Sequence, residues 1–334
     1  MRKFRVAVVG CGWASGVWLD YALTREDVEI KLLVDLLPES ARRKREEKCL
    51  DCEIANKLYP EQLHRLEINL VFDTTIPDAH YGTVTDALRA GCDVFSEKPM
   101  SSDLMCAHKM VSAALETGRT YSVMQNYRYN KDIRAYKELI HDHVIGNLGT
   151  LHADFFLNPN FEGFRVEMES PLILDMAIHS FDAARFLSGA DAISVYCHEY
   201  NPGWSHYKGD ISAVAIFEMS NGSVFSYHGS WAAKGFNTSW NCDWRAIGSK
   251  GTAKWSDEMT PIAEVEKEGV LLKVEPSFSR KYDSVSHHVC LEEMIDSLVK
   301  GHPAETICTD NIKSMEMVFG AIESSRSGKK VCLS

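Results

Sequence analysis

The sequence predicts an α/β chain in two parts, a doubly wound parallel sheet over 1–126 and a largely antiparallel α+β domain over 127–334. Three observations predict it. Apolar, β-rich runs alternate with helical stretches through the first part. The first of those runs ends in a glycine turn, Gly10-Cys11-Gly12. Beyond Tyr127-Arg128-Tyr129 the rhythm changes to strand-like runs joined by short turns. At 334 residues the chain is too long for one ordinary core and suits two.

Taken in order, Phe4 to Val9 reads as a strand, Gly10 to Gly16 as a turn and Val17 to Leu23 as a helix. In a GxGxxG turn the first glycine makes the bend and the second lets backbone approach a pyrophosphate, which rests on the helix amino end. Gly10 and Gly12 fit, with Trp13 and Ala14 inside the turn. Ser15 stands where a third glycine is usual, and Gly16 comes one residue late. Val28 to Val34 reads as the second strand, ending at Asp35, where an acid would accept hydrogen bonds from ribose hydroxyls. Leu36-Leu37-Pro38 follow without an arginine to meet a 2′-phosphate, so NAD is expected over NADP. A carboxylate after a strand also serves as a helix cap.

Asn69 to Thr74, Val94-Phe95 and Tyr121 to Met124 continue as strands, with helices over Ala79 to Ala90 and Asp103 to Glu116. Each carboxyl strand end carries a polar cluster: Thr74-Thr75-Ile76-Pro77, Glu97-Lys98-Pro99 and Gln125-Asn126. Ligands of open α/β sheets bind at that edge. Lys98 would stand there, with Glu97 beside it to hold it charged.

The net charge of -11, from 36 basic and 47 acidic residues, argues against a nucleic-acid surface. Arg42-Arg43-Lys44-Arg45 leads into Glu46-Glu47 and reads as a solvated helix. Ten cysteines lack the spacing of a disulfide framework, and Met1-Arg2-Lys3-Phe4 leads straight into a strand rather than a signal peptide. A reducing cytoplasm is expected. Cys49 and Cys52 form a CxxC with no second pair at zinc-site spacing, and no metal site is expected. No apolar run approaches the roughly 20 residues that cross a bilayer.

In the second part, a helix near Ile133 to Asp142 precedes strand candidates at Leu151 to Leu157, Ile193 to Glu199, Ile211 to Met219, Ser223 to Trp231 and Trp240 to Ile247. Asn221-Gly222 is a hairpin signal, and Gly248 to Gly251 a second turn. One helix is marked off by Ser170-Pro171 and Ser188-Gly189. It carries Asp175 and His179 four residues apart, on one face. A carboxylate beside an imidazole orients it and raises its proton affinity, as a general base near neutral pH needs. Asp/His pairs at this spacing are also common on exposed helices. Tyr127, Arg128, Asn158, Arg165 and His228 are pocket candidates for a polyhydroxylated ligand. Trp231, Trp240 and Trp244 read as core or interface.

With these residues assembled, the chain resembles the glucose-fructose oxidoreductase and inositol dehydrogenase family of nicotinamide-dependent enzymes, over nearly its whole length. The resemblance rests on Gly10-Cys11-Gly12, Asp35, Thr75-Ile76-Pro77-Asp78-Ala79-His80, Ala90 to Val94, Glu97-Lys98-Pro99 and Leu174 to His179. Asp310 to Ser314 and Gly328 to Val331 add to it. It implies a Rossmann cofactor domain. It further implies that Lys98 hydrogen-bonds the nicotinamide ribose and the substrate hydroxyl, that His179 takes or gives the hydroxyl proton, and that Asp175 tunes His179. The expected cofactor-binding set is Gly10, Gly12, Trp13, Ala14, Asp35, Thr75, Pro77, His80, Glu97, Lys98 and Asn126. The expected activity is hydride transfer between NAD(H) and a sugar, inositol or related polyol. Two alternatives stand beside it: a glycoside hydrolase that retains NAD, and a dinucleotide-sensing regulator without catalysis. An exposed face of the second sheet is expected to make a homo-oligomer, dimer or tetramer.

Overall fold

The computed structural model describes residues 3–333. The chain divides into two units, residues up to Asn126 with Ser284–Ile312, and Tyr127–Asp283 with residues from Lys313. The sequence suggests one crossing, at 126/127. The return at Ser284 has a local cause: the edge strand of the first sheet takes a backbone partner from the returning chain, Val123 N–H donating to Thr306 O at 3.0 Å.

The first unit runs β1 (Phe4–Val9), α1 (Trp13–Ala22), β2 (Val28–Val34), α2 (Pro38–Glu47), β3 (Glu53–Ala55), α3 (Pro60–Arg65), β4 (Leu70–Asp73), α4 (Pro77–Arg89), β5 (Asp93–Ser96), α5 (Leu104–Thr117) and β6 (Tyr121–Val123). The sheet is parallel throughout, in the order β3-β2-β1-β4-β5-β6. Helices on both faces bury Val6, Val8, Leu70, Phe72, Val94 and Phe95 completely, so the strands are apolar without alternation. Local chemistry sets the helix ends. Proline opens α2, α3 and α4, where a missing N–H costs nothing. Asp103 caps α5 by accepting from Cys106 N–H at 2.7 Å, and Gly118 closes it in the left-handed region.

After a 3₁₀ turn at Asn126–Tyr129, the chain forms α6 (Lys131–His141), β7 (Leu148–Phe156), α7 (Phe164–Glu167), a π-helical turn (Leu172–Ala177) and α8 (Ile178–Ser188). Then come β8 (Ala192–Tyr200), β9 (Ser212–Met219), β10 (Val224–Ser230), β11 (Asp243–Gly248), β12 (Gly251–Ser256), β13 (Met259–Lys267) and β14 (Val270–Val274). Two helices, α9 (Ser286–Lys300) and α10 (Cys308–Ser327), and the short β15 (Val331–Cys332) complete the chain. The second sheet has nine strands in the order β14-β13-β12-β11-β7-β10-β9-β8-β15. Its pairs are antiparallel except β7 with β10. Asn221-Gly222 joins β9 to β10 as expected, with Gly222 at φ 82°.

One face of this sheet packs on α8, where Phe181 meets Phe217, Tyr227 and Phe225 at centroid distances of 4.8, 5.4 and 6.2 Å. The opposite face alternates outward and exposes Tyr196, Val214 and Ile216. On α8, Asp182 is fully buried and accepts from Arg128 Nε and Nη2, both at 2.6 Å, and from Ser314 Oγ at 2.8 Å. This corrects one expectation: Arg128, a pocket candidate, is a buried structural ion-pair partner.

Glu199, on β8, is a buried carboxyl with one weak support. Ser170 Oγ donates to its Oε2 at 3.2 Å, and Oε1 has no hydrogen-bond partner. Burial, with help from Asp210 and against Arg326, pushes it from 4.5 up to about 7. Between those values the native protein holds a proton that the unfolded chain has released, so stability falls as pH rises through this window. Glu199→Gln is expected to gain about 2–3 kcal/mol at pH 8 and nothing at pH 4. Urea unfolding at the two pH values checks this; an equal effect at both would contradict it.

Candidate active site

Register aligns the carboxyl ends of the first sheet. Val9 pairs with Val34 and Asp73, Asp73 with Ser96, and Ser96 with Val123. The glycine turn, Asp35, Thr74-Thr75, Glu97-Lys98 and Asn126 therefore leave the sheet along one edge.

Gly10 has φ 88°, and a Cβ there would stand 2.7 Å from Thr74 O and 2.8 Å from Thr75 N. Only glycine fits this bend. Gly12 precedes α1 with nothing within 4 Å of its Cβ position, so backbone lies open to a ligand there. Ser15 takes the third-glycine place without penalty: it is fully buried, and its Oγ donates to Gly12 O at 2.7 Å. Trp13, at the first turn of α1, is 81% exposed. Asp35 does not cap α2. Its Oδ2 accepts from Cys11 N–H at 2.7 Å and its Oδ1 from Leu37 N–H at 2.8 Å. Each oxygen keeps a second lone pair, so the carboxylate is oriented and still able to accept from a hydroxyl. Exposed Leu36, Leu37 and Ile76 give the same edge an apolar rim. A small-residue cradle, an oriented acid and an apolar rim fit an adenine dinucleotide.

Glu97 Oε1 accepts from the Trp18 indole at 2.7 Å, and its Oε2 from Lys98 N–H at 3.2 Å. Its carboxylate is thus anchored by α1 and by backbone, besides standing next to Lys98 in sequence. Asp73, fully buried, accepts from Thr75 N–H and Oγ1 at 3.1 and 2.6 Å, and burial raises its carboxyl. Pro77 opens α4, holding Thr75 at its mouth. His80 departs from expectation. It is fully buried, with Nδ1 3.0 Å from Pro99 O and Nε2 3.1 Å from Thr75 O. It fastens two strand-end loops together rather than facing a ligand.

His287, on α9, carries no signal in the sequence beyond a His-His pair. Asn126 Nδ2 donates to Ser286 Oγ at 3.0 Å and approaches His287 Nδ1 at 3.3 Å. Burial chiefly lowers this imidazole, partly opposed by Glu97 and assisted by His288 and Lys98. Its neutral ring accepts a hydrogen bond near the Lys98 end of the edge.

In the second unit, Tyr127 stacks on His179 with centroids 4.0 Å apart and planes at 19°. Burial, followed by Cys242, Asp257 and Asp175, raises the Tyr127 hydroxyl, which stays protonated. Asp175 lies within the π-helical turn and His179 at the start of α8, so the helix expected to be regular changes period between them. Asp175 accepts from Arg165 Nε at 2.6 Å and from Nη2 at 3.4 Å. Of the other pocket candidates, Asn158 is an exposed loop residue, and His228 lies on the outward sheet face, hydrogen-bonded to Asp154 at 2.8 Å. Trp231 and Trp244 are core, as expected, while Trp240 is 44% exposed.

Burial pushes the Cys52 thiol up to about 11. Among the described residues no disulfide forms, no cluster of three or more His, Cys, Asp and Glu could hold a metal, and no helix is long and apolar enough to cross a membrane.

A doubly wound sheet with a dinucleotide cradle, followed by an α+β sheet domain, defines a nicotinamide-dependent oxidoreductase architecture. The chain belongs to the GFO/IDH/MocA family: residues 4–125 match the oxidoreductase family model with NAD-binding Rossmann fold, and residues 133–254 match the GFO/IDH/MocA C-terminal domain. It is similar to the uncharacterized protein y4oX of Sinorhizobium fredii, 26% identical over 98% of this chain and 95% of that one. It is also similar to inositol 2-dehydrogenase 1 of Paenarthrobacter aurescens, 25% identical over 99% and 96%. The fold is that of an oxidoreductase from Agrobacterium radiobacter in complex with NAD+, L-tartaric acid and magnesium, with TM-score 0.86, 20% identity and coverage of 99% and 98%.

Gly10→Ala is expected to weaken NADH binding at least about tenfold, because the cradle must open to admit the methyl group. Titration of NADH fluorescence checks this; unchanged affinity would remove the Gly10 turn from the cofactor site.

Proposed function

We propose that the protein oxidises a secondary hydroxyl of a sugar, inositol or related polyol, or reduces the matching ketone, with NAD(H) as the cofactor. The observation that carries this reading is the convergence of the Gly10 turn, Asp35 and Glu97-Lys98 on one sheet edge. In this reading Gly10, Gly12, Trp13, Ala14, Asp35, Thr75, Pro77, Glu97 and Asn126 hold the dinucleotide. NAD, when bound, supplies the hydride acceptor.

The chain's own residues then handle the proton and the charge. Oxidising an alcohol needs a base for the hydroxyl proton and a cation for the developing alkoxide. His179 is the base, with Asp175 tuning it, and Lys98 is the cation. NAD is favoured over NADP because Asp35 repels a 2′-phosphate and the neutral Leu36-Leu37 bring it no cation. The dehydrogenase name of the inositol relative supports net hydride transfer over retained-NAD hydrolysis, and a pure sensor has no use for a proton-transfer pair.

The first part, 1–126, is proposed as the dinucleotide domain, and 127–334 as the main source of substrate-binding and oligomerisation surfaces. Exposed Tyr196, Val214 and Ile216 support pairing through the outward sheet face. A cytoplasmic location is part of this proposal and rests on the cysteine spacing read from the sequence.

Lys98→Ala and His179→Ala are each expected to slow turnover by about 100-fold or more while NADH still binds. The assay is NADH formation against inositols, aldoses and polyols, with NADPH formation run in parallel. Near-normal turnover in either variant would remove that residue from the mechanism. Comparable rates with NADP would remove Asp35 from cofactor selection.

A further inference from the structure

Asp175 is 7% exposed, and a buried carboxylate must be paired or neutralised. One partner is Arg165, whose guanidinium presents two nitrogens to the two carboxylate oxygens at 2.6 and 3.4 Å. Arg165 comes from α7, ten residues upstream, and is itself held by aromatic faces: its guanidinium carbon lies 4.9 Å from the Phe161 ring centroid and 4.7 Å from that of Phe164. A planar cation fixed by two rings and a carboxylate is a built contact rather than a loose surface pair. His179 follows one turn after Asp175, with Tyr127 stacked on its ring.

We propose that Arg165 is a positioning residue of the reaction, holding the Asp175 carboxylate in an ion pair and so governing how much of its charge reaches His179. This rests on the dehydrogenase reading, in which His179 must be neutral to accept the hydroxyl proton. With Arg165 in place, Asp175 orients the imidazole while part of its negative charge is spent on the guanidinium. With Arg165 removed, more of that charge acts on His179 and the ring holds its proton to higher pH.

Other titratable groups also stand in this neighbourhood. Tyr207, before β9, lies in the fields of both Arg165 and Asp175, and burial raises its hydroxyl. Tyr127, on the 3₁₀ turn, has its hydroxyl raised mainly by burial and stays neutral. Cys242, before β11, is pushed up to about 12 by burial, and Asp257 acts on Tyr127 from the β12–β13 turn. Asp182, three residues beyond His179, is committed to Arg128 and Ser314. Arg165 is a cation in direct contact with Asp175, so its removal changes what Asp175 presents to His179.

The test follows the His179 ring proton by NMR titration in wild type, Arg165→Gln, Arg165→Lys, Asp175→Asn and Arg165→Gln combined with Asp175→Asn, alongside the pH profile of kcat. The His179 resonance is assigned by its loss in His179→Gln. In Arg165→Gln the midpoint is expected to rise by about one pH unit, with the acidic limb of kcat moving up equally and KM changing less than about twofold. Arg165→Lys, which keeps the charge without the fork, is expected to shift in the same direction by less. On the Asp175→Asn background the shift should shrink. An unmoved midpoint in both single variants overturns the proposal, as does a full shift in the Asp175→Asn background. Absence of turnover in wild type with an intact Arg165→Gln titration shift would defeat the dehydrogenase reading alone; normal turnover with an unmoved midpoint would defeat the Arg165 role alone.

Discussion

The alignment of parallel strand ends is the constraint from which the rest of this molecule follows. Parallel pairing fixes register through backbone hydrogen bonds. Because Val9, Val34, Asp73, Ser96 and Val123 lie side by side, residues far apart in sequence leave the sheet along a common edge. Chemistry at that edge is then a matter of which short loops follow each strand. The loops are rigid: Asp73 holds Thr75, His80 ties Thr75 to Pro99, and the Trp18 indole holds Glu97. Preorganisation of this kind lets donors and acceptors act without reorganising when a ligand arrives.

Much of the first unit was legible because β1, β2 and β5 are apolar runs followed closely by glycine or an acid, marks that survive without tertiary context, whereas the short, half-exposed β3 carries no such mark. Gly10, Asp35 and Glu97-Lys98 could be placed at carboxyl strand ends from the sequence pattern. His80 could not be placed correctly, since a histidine on a helix reads the same whether it faces a ligand or two loop carbonyls. His287 was missed because α9 returns to the first unit from more than 150 residues away, and nothing in local periodicity records such a return. In the second sheet, the Asn221-Gly222 hairpin was legible from turn chemistry. The three strands after Gly251 were not, since their alternation is weak and β14 is largely exposed.

Charge partners were the least legible feature. Asp175 and His179 at helical spacing suggested a private pair, yet the carboxylate is also bound by Arg165 from a separate short helix. Arg128 looked like a pocket residue and is instead buried against Asp182. Both cases have one physical reason: a buried carboxylate seeks the most complete set of donors within reach, and a guanidinium fork supplies two at once. Sequence spacing reports only partners on the same helix.

The central claim is that a carbon-bound hydrogen of the substrate leaves as hydride to the nicotinamide. The measurement that tests it most directly is mass spectrometry of the dinucleotide after incubation with carbon-deuterated inositols, aldoses and polyols. The account predicts NADH carrying one deuterium at the nicotinamide ring for at least one of these compounds. Deuterium lost to solvent with a cleaved glycosidic bond and no net NADH, or NADH formed without label, would contradict it.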